Sequence, residues 1–374
     1  MELENINFDY YFEKHSPGYV IEIYKDNNAK EFVRGNRITN PEVKSATSDT
    51  LYDIASLTKT FTSVLTYIAY EENKINLNET IYNIDNNFIN LKDIKVIDLL
   101  SHNQKIWTNG YLGEAKDKQD FYRILYTSYI KDNIPTYVDV HYIILGVLLE
   151  KIYNISYEEL CKKKIFNVLN MNNTTFNPDP DICASNNYEY KENMIIDDIY
   201  PGIIHDAKGR TAKKFGMNLG HASLFTTGKD LLTFLETFFN YKLLKKETIE
   251  YMLRHKDINE ENYKKLKSLS IDDDINDIFK KQKELNPQFT LPRTYNNMGT
   301  RYRNIIFVEN DVPDKASDNS ISFSGYTGPM FTIDFDNKII VIIMCNLIHN
   351  SKISRDDRKA LTVEMMNKIF DNLL

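Results

Sequence analysis

The chain is poor in cysteine, in basic runs and in long apolar stretches, and each shortage removes a class of function. Its 374 residues hold three cysteines, Cys161, Cys183 and Cys345, in no Cys-x-x-Cys spacing. That argues against a disulfide framework or a thiolate zinc site and leaves core or surface thiols. The formal net charge is -7, with no dense basic segment, so nucleic acid is not expected as a partner. The longest apolar run, Ile339–Cys345, is far too short to span a membrane. The opening stretch, MELENINFDYYFEKHSPG, is acidic and lacks the apolar core of a signal peptide, so a cytoplasmic location is expected. No His-Glu-x-x-His and no Gly-x-Ser-x-Gly occurs, and Thr227-Gly228-Lys229-Asp230 lacks the Ser/Thr and leading glycine of a phosphate loop. His205-Asp206 and His221 fall in loop-like stretches without a partner at ligand spacing. Loop hydrogen bonding is the expectation for them, and neither a metal nor a cofactor is expected.

What is present is enough apolar material, 42% hydrophobic and 12% aromatic, for a sizeable core. The length allows two to three domains, or one with a large insertion. The stretch 51–73, LYDIASLTKTFTSVLTYIAYEEN, organises the rest. A β-type start at Thr50, Leu51 and Tyr52 stops at Asp53, and apolar residues then recur at Phe61, Val64, Leu65 and Ile68, one face of a helix. Ser56 opens that helix and Lys59 follows one turn on, facing the same way. A hydroxyl and an amine so placed are what a serine nucleophile needs when its base is lysine. Alone, Ser-x-x-Lys is a weak signal. Ser56 could be an ordinary N-cap and Lys59 a solvated first-turn lysine. Ser128-Tyr129-Ile130-Lys131 is a second match, but Pro135 follows it and no apolar helix continues.

Taken in order, residues 1–15 read as a short helix. Residues 19–24 (YVIEIY) and 31–33 with their flanks read as two strands joined by a turn at Asp26-Asn27-Asn28. From 79 to about 289 the signals are mainly helical, with helices over 91–100, 140–152 and 231–239. The loop 172–187 is rich in Asn, Asp and Pro, and 255–288 is a charged excursion or surface helix pair. Strand signals return only after Pro292, at 321–323, 331–335 and Ile339–Cys345, and Arg355–Leu373 closes the chain as an amphipathic helix. The expected fold class is α+β: one antiparallel sheet built from both chain ends (1–78 and 292–374), flanked by helices, with an inserted mainly helical domain (79–291). A site is expected in the cleft between them.

Several segments carry a resemblance beyond this pattern. DTLYDIASLTKTF, TYVDVHYIILGVLLEKI, FNVLNMNNTTF, PGIIHDAKGR, LGHASLFTTGKDLLTF and FSGYTGPMFTIDFDNKIIVIIMCN resemble, in this order, segments of the serine β-lactamase and penicillin-binding-protein superfamily. The likeness is greatest to its class C-like branch, which includes D-alanyl-D-alanine peptidases and carboxylesterases, and two of the segments resemble an esterase-like subgroup. The resemblance implies a β-lactamase/transpeptidase-like fold, with Ser56 as nucleophile and Lys59 as general base or proton shuttle. It implies that Tyr137 is the phenol that takes the serine proton and later protonates the leaving group. The backbone N–H groups of Ser56 and Tyr326 correspond to the oxyanion hole, and Phe323, Ser324 and Gly325 to the substrate-binding strand. The plain alternative for Tyr137 is a half-buried tyrosine capping a helix.

Three positions depart from the family's pattern. Asp139 stands where the family has Asn; a carboxylate beside Lys59 raises the lysine pKa and favours Tyr137 as the working base. Asp139→Asn is then expected to shift the acidic limb of the pH–rate profile. Phe323 stands where a Lys or His would grip a substrate carboxylate. That points towards esters or amides without a free carboxylate, with ordinary strand packing as the alternative for the ring. His102-Asn103-Gln104-Lys105-Ile106 replaces the family's His-Thr-Ser-Gly-Leu at one wall of the cleft. The expected function is a serine hydrolase forming an acyl-enzyme on Ser56, acting on small or D-amino-acyl esters or amides. The alternatives are a D-alanyl-D-alanine carboxypeptidase or β-lactamase, and a non-catalytic ligand-binding relative. The partner expected is a small ester, amide or peptide.

Overall fold

The computed structural model describes residues 6–253 and 312–374, apart from 8–9, 12–13, 134–135, 187–188, 192–193, 197–199, 318 and 350–354. The segment 255–288 and the expected boundary at 292 lie outside the described residues. Of the expected first helix, Tyr10, Tyr11 and Lys14 are helical, and the His15 N–H donates to the Tyr11 carbonyl at 2.8 Å.

Strands β1 (Gly18–Lys25) and β2 (Asn28–Ile38) form a hairpin in which Lys25 faces Asn28. The two residues between, Asp26 and Asn27, both take positive φ (53° and 60°), the tight turn whose twist suits a hairpin and which Asp and Asn tolerate. Two-residue strands β3 (Lys44–Ser45) and β4 (Tyr52–Asp53) precede helix α1 (Thr58–Glu71). Helices α2 (Val140–Tyr153) and α3 (Ala207–Lys214), strand β5 (Phe225–Thr226) and helix α4 (Gly228–Leu235) follow. The chain closes with β6 (Ser320–Ser324), β7 (Met330–Asp334), β8 (Ile339–Cys345) and helix α5 (Arg355–Leu373).

The sheet order is β6-β7-β8-β1-β2-β3, with antiparallel pairing throughout. The two ends of the chain meet at its centre, from Tyr19 opposite Cys345 to Lys25 opposite Ile339. Both faces of the central strands are apolar, as a sheet covered on two sides requires. Ile21, Ile23, Val341 and Ile343 pack with Met365, Met366, Ile369 and Phe370 of α5. Val20, Ile340, Ile342 and Met344 belong to the core that holds α1, α2 and α4. There Phe61 of α1 stacks on Phe234 of α4, ring centroids 4.0 Å apart. A fully buried side chain of this size contributes about 1.5–3 kcal/mol.

The expectation that strands resume only after 292 is corrected. Lys105–Trp107 pairs with Tyr129–Asp132, Glu189–Lys191 with Met194–Ile196, and β4 with β5. Strands of two to four residues are too short for a two-residue alternation to stand out from a helical background. The expected helix over 91–100 is a 3-10 turn at Ile89–Leu91 followed by a helix at Val96–Leu100. Among the described residues, no helix is long and apolar enough to cross a membrane.

Candidate active site

The segment leading to Ser56 is held by its neighbours. Asp53 of β4 pairs with Phe225 of β5, and the Ile54 N–H donates to the Leu224 carbonyl at 3.1 Å. The chain then turns through Ala55, which lies at φ +44°, a left-handed conformation that costs an alanine roughly 1–2 kcal/mol. The Asp53 carboxylate holds the turn. Its Oδ1 accepts from the Ala55 N–H at 2.9 Å and its Oδ2 from the His205 N–H at 2.8 Å. Ser56 sits in a 3-10 turn, Ala55–Leu57, that runs into α1. Its hydroxyl caps neither helix, and Lys59 is fully buried, so the capping and solvated-lysine alternatives both fall away.

Ser56 Oγ lies 2.9 Å from Lys59 Nζ and 2.8 Å from the Tyr137 hydroxyl. The three groups named from sequence therefore converge. Lys59 Nζ also donates to Asp139 Oδ1 at 2.8 Å and to the His221 carbonyl at 3.1 Å. Three acceptors around one nitrogen is the pattern of an ammonium. Burial alone would push its pKa down; the Asp139 carboxylate, with Tyr137, outweighs that and leaves the pKa above the usual lysine value. Tyr137 is 44% exposed overall, yet its oxygen is enclosed between Ser56 and Lys59. That burial pushes its pKa up, and Lys59 only partly opposes it. Lys59 and Tyr137 thus both hold protons at rest.

Two further features fix these groups. A Cβ on Gly220 would lie 2.6 Å from the Tyr142 carbonyl of α2 and 2.9 Å from Thr62 Oγ1 of α1. Only glycine allows that approach, and it delivers the next residue, His221, to Lys59. A Cβ on Gly325 would lie 2.5 Å from the Ile54 carbonyl, so the backbone leading into Tyr326 runs against the Ser56 turn. Thr327 Oγ1 donates to the Asp53 carbonyl at 2.6 Å. Tyr326 stacks on His205 with centroids 5.2 Å apart. Ser324 is partly exposed, whereas the Phe323 ring is buried in the core, edge-on to Phe331 at 6.4 Å. That placement matches the strand-packing alternative for the ring.

Around the centre lie residues to which sequence reasoning assigned no role in it, His141 and Lys208 among them. His102, at φ +49°, packs its ring 4.8 Å from that of Tyr137. Its carbonyl accepts from the Thr136 N–H at 3.0 Å, and its Nδ1 lies 2.7 Å from Nδ1 of His141. Burial lowers the pKa of both imidazoles, that of His141 to about 3, so the pair stays neutral. Asp206, expected only to hydrogen-bond within its loop, caps α3 through the Gly209 N–H at 2.8 Å and also lies 2.9 Å from His221 Nε2. Lys208 Nζ sits 3.1 Å from Asp139 Oδ2 and 2.7 Å from Asp206 Oδ2. Asp139, Asp206 and His221 offer donor atoms within 4.8 Å of one another. The Lys208 ammonium already lies between the two carboxylates, where a cation would have to go. Ser128 of the second Ser-x-x-Lys bonds back to the Leu125 carbonyl at 2.5 Å, and Lys131 lies over the Trp107 ring.

A buried lysine and a tyrosine on one serine, at the edge of an antiparallel sheet made from both chain ends, define a serine-hydrolase architecture. The family model named Beta-lactamase matches residues 8–364, and the chain belongs to that family of serine hydrolases. A provisionally named D-alanyl-D-alanine carboxypeptidase of Salmonella enteritidis PT4 is 24% identical over 251 residues, 56% of this chain and 57% of that protein. The chain thus spans little more than half the length of the curated relatives it matches. Simvastatin synthase (LovD) of Aspergillus terreus superposes with a TM-score of 0.68 at 15% identity, covering 98% of this chain and 95% of that one. A class C β-lactamase of Rhodobacter sphaeroides gives 0.64 at 14% identity, covering 96% and 97%. At these identities the two structures establish the shared fold.

Proposed function

We propose that the protein hydrolyses small or D-amino-acyl esters or amides through an acyl-enzyme on Ser56. The observation that carries this reading is the pair of contacts on one oxygen, Lys59 at 2.9 Å and Tyr137 at 2.8 Å. Because both partners are protonated at rest, the working form is the one from which the pair has lost a proton to solvent. In that form Tyr137 takes the Ser56 proton while Oγ bonds to the carbonyl carbon. The carbonyl π electrons move onto oxygen, and the backbone N–H groups of Ser56 and Tyr326 are the proposed donors to it. Collapse expels the alcohol or amine, which leaves with the proton from Tyr137. Water then gives a proton to Tyr137, attacks the acyl group and releases the acid, and Ser56 recovers its proton. The Lys59 ammonium stabilises the phenolate throughout.

The choice of ester over a carboxylate-bearing peptide rests on charge. Position 323 supplies no cation, and both ammoniums of the described site, Lys59 and Lys208, are already paired with carboxylates. Nothing there is left to grip a substrate carboxylate. Treating the wild type and Ser56→Ala with a fluorophosphonate, a fluorescent penicillin and a p-nitrophenyl ester tests this, with intact mass and turnover as readouts. Ser56-dependent labelling with turnover of the ester only is the expected result. Stable labelling by penicillin would move the reading to a carboxypeptidase. No Ser56-dependent adduct with any probe would leave a non-catalytic binding protein.

A further inference from the structure

The contacts around Lys59 close into a ring. Lys59 Nζ donates to Asp139 Oδ1 at 2.8 Å, and Asp139 Oδ2 accepts from Lys208 at 3.1 Å. Lys208 reaches Asp206 Oδ2 at 2.7 Å, and Asp206 Oδ1 lies 2.9 Å from His221 Nε2. The His221 carbonyl returns to Lys59 at 3.1 Å. Signs alternate around the ring, two ammoniums against two carboxylates. Each oxygen of Asp139 serves a different lysine. Lys208 is only 18% exposed at its side chain, and α3 fixes it, because its neighbour Asp206 is that helix's cap.

We propose that Lys208 is a positioning residue of the Ser56 site: by sharing the Asp139 carboxylate with Lys59, it sets how tightly the Lys59–Tyr137 pair holds its proton. The inference rests on the hydrolase reading above but concerns a residue that touches neither Ser56 nor Tyr137. Without Lys208, the whole Asp139 charge falls on Lys59, and a nearby positive charge is lost as well. Both changes favour the protonated pair. The other groups facing the ring do not replace Lys208. Ser56 and Tyr137 are neutral, His102 is a neutral ring behind Tyr137, and Arg210 of α3 donates to the carbonyls of Ile204 and His205. The Lys59 pKa is raised with Lys208 in place, so the second ammonium moderates the effect of Asp139 without cancelling it.

The test is the pH dependence of fluorophosphonate labelling at Ser56 in five proteins: wild type, Lys208→Met, Lys208→Arg, Asp139→Asn, and Lys208→Met combined with Asp139→Asn. Lys208→Met keeps most of the aliphatic stem and is expected to move the acidic limb up by about one pH unit, a loss of about tenfold below the limb. Lys208→Arg retains the wild-type limb. In the Asp139→Asn background Lys208→Met has little further effect, because the charge it balanced is gone. Coincident limbs for wild type and Lys208→Met overturn the proposal, and so does an equal shift in the Asp139→Asn background, which marks a merely structural role. If the wild type takes no label at Ser56, the hydrolase reading fails, and Lys208 is judged by NMR instead. The 13Cε signal of Lys59, assigned with Lys59→Arg, then has to titrate at higher pH in Lys208→Met; an unchanged midpoint overturns the proposal.

Discussion

Asp53→Ala is expected to damage stability and reactivity together, because one carboxylate carries two tasks. In the folded chain Asp53 is buried, and its two oxygens accept from the backbone N–H groups of Ala55 and His205. Alanine leaves both donors without their partner, and a buried donor so stranded costs about 1–3 kcal/mol. The sum is about 2–6 kcal/mol, read as a lower urea midpoint with the unfolding slope unchanged. The left-handed turn at Ala55 also loses the contact that balances its strain, so Ser56 drifts from Lys59 and Tyr137. A misplacement of about 1 Å is worth on the order of a hundredfold in rate. Asp53→Asn separates the effects, since its carbonyl keeps one of the two bonds while its amide faces the other donor. It should cost about half as much or somewhat more, because the amide nitrogen cannot accept from the donor it faces. The assay pairs urea unfolding with the rate of fluorophosphonate labelling. If Asp53→Ala unfolds within 1 kcal/mol of wild type (about a tenth of an ordinary domain's stability) and labels Ser56 at the same rate, the reasoning is refuted.

Two further perturbations follow from the same geometry. Tyr137→Phe removes the proton acceptor but keeps the ring against His102. Labelling should fall by about 10²–10⁴ with little change in unfolding midpoint, and a loss below tenfold would shift the base to Lys59. Glu22 is buried, its Oε1 has no hydrogen-bond partner among the described residues, and burial, then Glu31 opposite it in β2, pushes its pKa up to about 8. A carboxyl whose folded pKa is raised contributes nothing unfavourable below its unfolded pKa. It costs progressively more stability as pH rises from there to the folded value. Glu22→Gln should therefore stabilise by up to a few kcal/mol at pH 9 relative to pH 5; equal gains at both pH values would contradict the assignment.

The parts of the site that could be read from sequence are those set by short spacing or segment order. Ser56 and Lys59 are three residues apart on one helix, so their meeting needs no knowledge of the fold. Tyr137 was found because its segment leads into an apolar helix, α2, that packs on α1. The central strands were legible because they are long and apolar on both faces. What escaped was set by distant convergence. Asp206 and His221 were read as loop groups because neither has a partner at ligand spacing; they meet each other, and through Lys208 and the His221 carbonyl they join the Asp139–Lys59 pair. A signal was present in Gly220, whose missing side chain lets the chain cross α1 and α2 closely enough to present the His221 carbonyl. The β-type start at Leu51 and Tyr52 was legible, but its two-residue partner β5 was not, since so short a strand is defined by what it pairs with.

The ring around Lys59 also constrains what the site can recognise. An ammonium shared between a carboxylate and the Ser56 hydroxyl cannot hold a substrate carboxylate without giving up one of those partners. Lys208 is bound in the same way by Asp139 and Asp206. Selectivity on the proposed reading therefore falls to shape and to apolar contact. Two half-exposed rings flank the proposed reaction centre, that of Tyr137, whose hydroxyl meets Ser56 Oγ, and that of Tyr326, whose N–H is an expected oxyanion donor. They suit an acyl group that is uncharged and flat or aliphatic. On the proposed reading, a substrate carrying an anion close to its scissile carbonyl would have to desolvate that charge with no free ammonium among the described residues of the site to meet it, at a cost of several kcal/mol. The same arithmetic that disfavours acyl-D-Ala-D-Ala peptides favours their neutral ester counterparts.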